Sequence, residues 1–296
     1  MTRHLVPIAT TFTGAANNRL AADVFGDHGA PVLLLHGGGQ TRHAWRNTAE
    51  RIARSGRTAF AVDQRGHGDS DWIADAAYTF FDFAADVAVV ARAVTARAGS
   101  PPVVIGASLG GIASLLAYGT AFRRGEASMF AALVLVDITP RVDLSGVEKI
   151  QGFMRAHARE GFASLQEAAD VVAAYLPHRP RPRSNEGLKK NLRLHPDGRW
   201  RWHWDPQFLG GPHPVGSDRA GVEEALVAAA RDLAIPTLLV RGASSELVHD
   251  AHVQEFLELA PHAAYADVSG ARHMVVGDRN DQFSNAIQGF LDGLAG

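Results

Sequence analysis

The amino-acid sequence predicts an α/β fold built on a mostly parallel central sheet with helices on both faces. Its strand-like runs are apolar on consecutive residues, as in strands buried on both faces of a parallel sheet. Helical patterns alternate with these runs, and a chain of 296 residues can bury a large core. The predicted strands cover residues 31–37, 58–66, 102–108, 132–140 and 236–243.

Helical patterns fill most intervals between the strands and stop near glycines, at residues 43–56, 80–99, 111–125 and 283–295. The alternation breaks after Pro140, where strong strands are missing and helical segments such as residues 162–176 take over. We therefore expect residues 1–140 and 232–296 to form the core. Residues 141–231 are expected to form a helical cap over the strand ends.

Composition excludes several classes of function. The net charge of −2 gives no sign of a nucleic-acid or membrane partner, so we expect a small-molecule substrate. The chain has no cysteine, which rules out disulfides, a thiol nucleophile and thiolate metal sites. We expect neither a secretory signal nor a transmembrane segment, and hence a cytoplasmic protein. The sequence leaves open whether the protein forms a homodimer.

Residues 106–110, GASLG, match G-x-S-x-G between a predicted strand and a predicted helix. In that context the motif forms a sharp turn that lifts the serine hydroxyl above the sheet, and the glycines relieve crowding there. The helix N-terminus also directs amide N–H groups at any oxyanion beside the serine. We predict that Ser108 is a nucleophile; a serine that only caps the helix is the alternative.

A second glycine-rich stretch, His36 to Gly39, follows the first predicted strand. Such a turn can direct a backbone N–H into the space beside Ser108. Gly38 and Leu109 are therefore the candidate donors of an oxyanion hole, and His36 and Gly37 are candidates for the substrate pocket.

Two histidines compete for the role of general base. His273 follows the last strong strand, as the chain order serine, acid, histidine requires. His67 lies in the segment DQRGHGDS (residues 63–70), whose arginine and aspartates indicate a structural turn. We predict His273.

These motifs, in this order and spacing, resemble those of the α/β-hydrolase superfamily. The resemblance covers the whole chain except residues 141–231, where such proteins carry a variable cap. It implies a serine, histidine and acid triad that works without metal or organic cofactor.

The acid is the weakest part of the resemblance. Family members usually place aspartate three residues after the glycine at the end of the penultimate strand, which here is Ser245. Glu246 is next to it and is our first choice. Asp137 is the alternative because some members take the acid from the preceding strand, and Asp250 or no acid at all completes the options.

The predicted cap contains closely spaced tryptophans and cations. We expect Trp200, Trp202 and Trp204 to alternate toward and away from the pocket, with Trp202 and Trp204 as candidate lining residues. Arg199 or Arg201 could pair with a substrate carboxylate.

The predicted function is hydrolysis of an ester-like or acyl substrate through an acyl-enzyme. Hydrolysis of a C–C bond in a diketone and a cofactor-free perhydrolase activity are alternatives that use a similar triad. A binding protein that keeps the fold without the chemistry is an alternative of another class.

Overall fold

The computed structural model describes residues 5–177, 181, 184–268 and 281–294. Eight strands form the main sheet: β1 (Ile8–Thr13), β2 (Arg19–Phe25), β3 (Pro31–Leu35), β4 (Thr58–Val62), β5 (Val103–Ala107), β6 (Ala132–Val136), β9 (Thr237–Gly242) and β10 (Ala264–Val268). Their spatial order is β1-β2-β4-β3-β5-β6-β9-β10. A separate two-stranded sheet contains β7 (Leu192–Leu194) and β8 (Trp200–Trp202).

The predicted parallel sheet is confirmed. Strands β3, β4, β5, β6, β9 and β10 pair in parallel, and all residues of β3 to β6 and of β9 are buried. β1 and β2 are antiparallel additions at one end of the sheet. Strands β1, β2 and β10 were not predicted; β1 and β10 are edge strands whose largely exposed residues lack the continuous apolar pattern.

Nine α-helices are present among the described residues: α1 (Arg46–Arg54), α2 (Phe80–Ala98), α3 (Leu109–Arg123), α4 (Leu144–Ala156), α5 (Leu165–Tyr175), α6 (Gln207–Gly210), α7 (Arg219–Arg231), α8 (Asp250–Leu259) and α9 (Asp281–Gly293). Helix α2 shows why the local sequence forms a helix. Thr79 and Asp82 make a capping box at its start, and Gly99 ends it in the left-handed conformation.

The helices cover both faces of the sheet, as predicted. One apolar cluster joins a face of the sheet to α2, α3, α7 and α8, and a second joins the opposite face to α1 and α9. None of the helices in the described ranges is both long and apolar enough to cross a lipid bilayer.

Residues 141–231, which we call the inserted segment, contain more than the expected helices. They include the β7–β8 hairpin, whose three-residue strands are too short to give a periodic pattern. The hairpin end is bonded to the turn after β4: Gly68 N–H donates to the His203 carbonyl, and Asp205 N–H donates to the Gly66 carbonyl. At the end of the segment, α7 packs against α3 and belongs to the packing of the sheet layer.

Candidate functional site

Most of the predicted site residues that the structure describes follow the carboxyl ends of neighbouring parallel strands, which meet at one edge of the sheet. The glycine loop (residues 36–39) follows β3, and the serine turn (residues 106–110) joins β5 to α3. Asp137 follows β6, and the β9 turn (residues 242–248) follows β9. Because β3, β5, β6 and β9 are consecutive in the sheet, these four features are neighbours in space.

Ser108 has an unusual backbone conformation for a residue with a side chain, with φ 45° and ψ −111°. Its N–H donates to the Val136 carbonyl at 3.1 Å, and its carbonyl accepts from Ile112 N–H at 2.9 Å. These two bonds fix the turn between strand and helix. A conformation of this kind costs about 1–3 kcal/mol and persists where the surrounding structure enforces it, often at active sites.

The serine turn is too crowded for side chains at its glycines. A Cβ atom on Gly110 would lie 2.5 Å from the Leu35 carbonyl oxygen. A Cβ on Gly106 would lie 2.5 Å from the Gly110 carbonyl carbon. The glycines therefore allow α3 to start directly against β3 and β5, and Ser108 at the sheet edge is partly buried.

The glycine loop packs beside Ser108, since a Cβ on Gly37 would lie 3.5 Å from the Ser108 Cβ. Three of its neighbouring amides have acceptors. Gly37 N–H donates to Gln40 Oε1, Gln40 N–H to the Gly37 carbonyl, and Gly39 N–H to His67 Nε2. The N–H of Gly38 has no acceptor among the described residues.

Leu109 opens α3, and its N–H likewise has no acceptor within the part of the chain that the structure describes. The segments that carry the two candidate donors touch each other, since a Cβ on Gly38 would lie 4.0 Å from Leu109 Cδ2. Leu109 directly follows Ser108 in the sequence. Gly38 directly follows Gly37, which packs on Ser108.

Two fully buried histidines hold the glycine loop. His36 Nε2 accepts from Gln64 N–H at 3.0 Å, so its Nδ1 carries the proton and donates to the Gly37 carbonyl at 2.8 Å. His67 Nε2 accepts from Gly39 N–H at 3.1 Å, and its Nδ1 donates to the Arg65 carbonyl at 2.9 Å.

Burial lowers the pKa of His36 to about 4, and burial together with His36 lowers the pKa of His67 to about 3. Both rings are therefore neutral at pH 7. The ring of His36, which we expected at the substrate pocket, is sealed inside the protein and supports the loop. His67 lies in a structural turn, in agreement with its predicted role.

Asp137 is buried at the end of β6 and has φ 53°, a second non-glycine residue with positive φ at this edge. Its Oδ1 accepts from Gly242 N–H at 3.1 Å, and its Oδ2 accepts from the Ser245 hydroxyl at 2.6 Å. A carboxylate has about four acceptor positions, so these two bonds are compatible with an imidazole N–H as a further partner.

Glu246 lies beside Ser245 but faces the inserted segment. Its Oε1 is 3.6 Å from Lys149 Nζ on α4. Burial, together with the charge of Glu246, raises the pKa of Tyr175 at the end of α5. The two acid candidates thus occupy different environments: Asp137 is enclosed between strand ends, and Glu246 is in a partly exposed ion pair.

The inserted segment covers the glycine loop with apolar side chains. A Cβ on Gly38 would lie 3.3 Å from Phe208 Cζ, and one on Gly39 would lie 2.8 Å from Met154 Cε and 3.7 Å from Trp204 Nε1. Met154 and Phe208 were not among the predicted pocket residues. Their positions depend on how the inserted segment folds back, which no local pattern reveals.

The tryptophans do not alternate as we expected. Trp200 and Trp202 pack with Phe162, while Trp204 continues the same apolar surface toward Phe208. The physical reason is the two-residue period of extended chain, which puts residues two apart on the same face. Trp204 contacts the glycine loop, whereas Trp202 lies farther along, against Phe153 and Phe162.

The two arginines considered for a substrate carboxylate bind within the inserted segment. Arg199 donates to the carbonyls of Glu160 and Gly161. Arg201 donates to the Arg159 carbonyl and forms a bidentate pair with Asp197. Both fasten the hairpin to the turn between α4 and α5.

His273, the predicted base, lies outside the described residues, so the triad stays a prediction. In the described ranges, no group of histidine, aspartate and glutamate side chains has an arrangement that could hold a metal ion.

Comparison with known proteins gives consistent matches. A family model described as alpha/beta hydrolase fold matches residues 30–279. The esterase Rv0045c of Mycobacterium tuberculosis is 32% identical over 269 residues, covering 88% of this chain and 82% of that protein. The 2-(acetamidomethylene)succinate hydrolase of Mesorhizobium japonicum is 29% identical and covers 79% of this chain and 78% of that protein. A crystal structure of E-2-(acetamidomethylene)succinate hydrolase superposes with a TM-score of 0.81 at 25% identity, covering 97% of this chain and all of the other.

Proposed function

Because the chain belongs to the α/β-hydrolase fold family, we propose that it is a serine hydrolase acting on small, neutral, ester-like substrates through Ser108. The observation that carries this proposal is the pair of amides beside the strained serine turn. The N–H groups of Gly38 and Leu109 have no acceptor among the described residues, although the other amides of the glycine loop have one. Two such donors are what an oxyanion requires.

The mechanism follows the usual serine route. His273 removes the proton of the Ser108 hydroxyl as its oxygen attacks the ester carbonyl carbon, and the amides of Gly38 and Leu109 bind the resulting oxyanion. The tetrahedral intermediate collapses, the alcohol leaves with the proton from His273, and an acyl-enzyme remains. Water, activated by His273, then hydrolyses the acyl-enzyme and restores Ser108.

We assign the orienting acid to Asp137 and not to our first choice, Glu246. Asp137 is buried directly after β6, which neighbours the strand that Ser108 follows, and a donor binds each of its carboxylate oxygens. Such a carboxylate can hold an imidazole in one tautomer and stabilise its protonated form. Glu246 is 30% exposed and paired with Lys149, and neither property suits that role.

The inserted segment supports a neutral substrate. Its contacts with the glycine loop come from Met154, Trp204 and Phe208, which favour an apolar acyl or alcohol group. Arg199 and Arg201 are already bound to partners, so they do not provide a site for a substrate carboxylate. In this proposal residues 141–231 act as the cap of a cytoplasmic esterase.

Labelling with a fluorophosphonate probe tests the proposal. We expect the adduct on Ser108 in the native protein and none in Ser108→Ala. Hydrolysis of p-nitrophenyl butyrate should fall by at least about 10⁴-fold in that variant. Ser128→Ala is the control, since among the described residues its hydroxyl bonds only the backbone carbonyl and N–H of Phe130.

Other outcomes identify other functions. Absence of both adduct and turnover in the native protein favours a binding protein with this fold. Efficient cleavage of a vinylogous diketone with little ester hydrolysis favours a C–C hydrolase.

A further inference from the structure

The Ser245 hydroxyl is the centre of a small buried hydrogen-bond network. It accepts the N–H groups of Leu247 and Val248, at 3.0 and 3.2 Å. A hydroxyl has two acceptor lone pairs and one proton. Because both N–H groups use the acceptor side, the proton is directed to Asp137 Oδ2, 2.6 Å away.

The same turn also binds the other oxygen of the carboxylate. Gly242 N–H donates to Asp137 Oδ1 at 3.1 Å, and Ser245 N–H closes the turn on the Gly242 carbonyl at 2.8 Å. One donor on each oxygen fixes the plane of the carboxylate. This matters because the backbone of Asp137, at φ 53°, needs support from its surroundings to keep that conformation.

The side chains of residues 245 and 137 meet in the same buried space between the ends of β6 and β9. The distance of 2.6 Å between Ser245 Oγ and Asp137 Oδ2 means that a slightly longer side chain at 245 would reach the carboxylate site. Ser245 is also where the resemblance places the usual acid. In this chain the carboxylate comes from β6, and the usual acid position supplies a hydrogen-bond donor.

We propose that Ser245 is a positioning residue that orients Asp137 toward the imidazole of the triad, an inference that rests on the proposed function. The serine donates to the acid and does not touch the substrate. Removing its hydroxyl therefore slows the chemical step and leaves substrate binding unchanged.

Single variants at Ser245 give the first test. In Ser245→Ala we expect kcat for p-nitrophenyl butyrate to fall about tenfold, as for loss of a bond to a charged group, with KM unchanged. Without this donor the carboxylate becomes a stronger base and raises the pKa of the imidazole. The acidic limb of kcat/KM should therefore move up by about half a pH unit. Ser245→Thr keeps the hydroxyl and should retain both the native kcat and the native pH profile.

Moving the carboxylate gives the second test. Asp137→Asn should be nearly inactive, and the double variant Asp137→Asn with Ser245→Asp should recover at least about tenfold of the lost kcat. A role of Ser245 in stability alone predicts neither this recovery nor the change in the pH profile. Urea denaturation of each variant separates unfolding from loss of chemistry.

The results distinguish the two proposals. If Asp137→Asn hydrolyses the ester like the native protein, the proposed acid is wrong. The inference about Ser245 is wrong if Asp137→Asn is inactive while Ser245→Ala keeps the native kcat and pH profile. It is also wrong if the double variant is folded but recovers no activity. In both cases the proposal of a serine hydrolase is unaffected.

Discussion

The two halves of the candidate site are built differently. Around Ser108, the serine turn is shaped by close backbone contacts at Gly106 and Gly110 that only glycine permits. The glycines of the glycine loop pack against side chains, and neutral buried histidines hold that loop. Around Asp137, one carboxylate is held by the hydrogen bonds of the β9 turn. The first half depends on the absence of side chains, and the second depends on which polar side chains meet.

This difference predicts different responses to substitution. The serine half should be sensitive to added volume and to anything that disturbs the neutral histidines. The acid half should be sensitive to loss of charge. Four measurements test this contrast.

Among these four measurements, the largest expected effect belongs to the acid half. Asp137→Asn keeps the shape of the side chain but removes the charge that orients and stabilises the imidazole, so kcat should fall by about 10⁴-fold. Glu246→Gln should keep the native kcat, because its carboxylate pairs with Lys149 at 3.6 Å. Initial rates with p-nitrophenyl butyrate measure both. If Glu246→Gln loses kcat and Asp137→Asn keeps it, Glu246 is the acid of the triad.

The same contrast explains what the sequence could reveal. The motif at residues 106–110 and the glycines after β3 are visible because sterically required glycines leave a fixed spacing. The buried strands could also be predicted from the sequence, since burial on both faces gives continuous apolar runs such as PVLLL in β3. These features depend on local geometry, which a linear pattern can encode.

The acid could not be chosen in this way. Asp137 and Glu246 are 109 positions apart in the sequence but lie at neighbouring strand ends, and the Ser245 hydrogen bond that distinguishes them joins two distant segments. The contacts of Met154 and Phe208 with the glycine loop are equally non-local. The shared face of Trp200 and Trp202 follows from the strand period, but only once β8 is known to be extended, which its three residues do not reveal.

The second measurement concerns the two histidines of the serine half. Their folded pKa values, about 4 for His36 and about 3 for His67, lie below the ordinary value of 6.5. Between pH 6.5 and 4 the unfolded chain therefore binds protons that the folded protein does not. The free energy of unfolding should fall as the pH is lowered, by about 1.4 kcal/mol per pH unit for each histidine, and these two groups should give no slope above about pH 7.5.

Urea denaturation from pH 4.5 to 8 measures this slope. His67→Gln keeps an acceptor for Gly39 N–H without a titrating ring, so its slope should be smaller by about 1.4 kcal/mol per pH unit. Equal slopes in the variant and the native protein would mean that His67 titrates normally in the folded state.

The third measurement adds volume to the serine half. Gly110→Ala places a Cβ 2.5 Å from the Leu35 carbonyl oxygen, a backbone atom that cannot move away easily. We expect the free energy of unfolding to fall by about 3 kcal/mol, measured in urea. Gly289→Ala in α9 is the matched control, because its Cβ meets nothing within 4 Å. That variant should be up to about 1 kcal/mol more stable than the native protein, and equal losses in both would argue against crowding at the serine turn.

The smallest effect is expected where the inserted segment meets the acid half. Lys149 is 56% exposed, so its pair with Glu246 is screened by water and should contribute less than about 1 kcal/mol to the free energy of unfolding. Lys149→Met should therefore change both stability and kcat little. A double-mutant cycle with Glu246→Gln measures the coupling between the two charges directly. A coupling above about 2 kcal/mol in the free energy of unfolding would contradict a screened pair. A loss of kcat that appears only with Glu246 present would show that this carboxylate is linked to the chemistry.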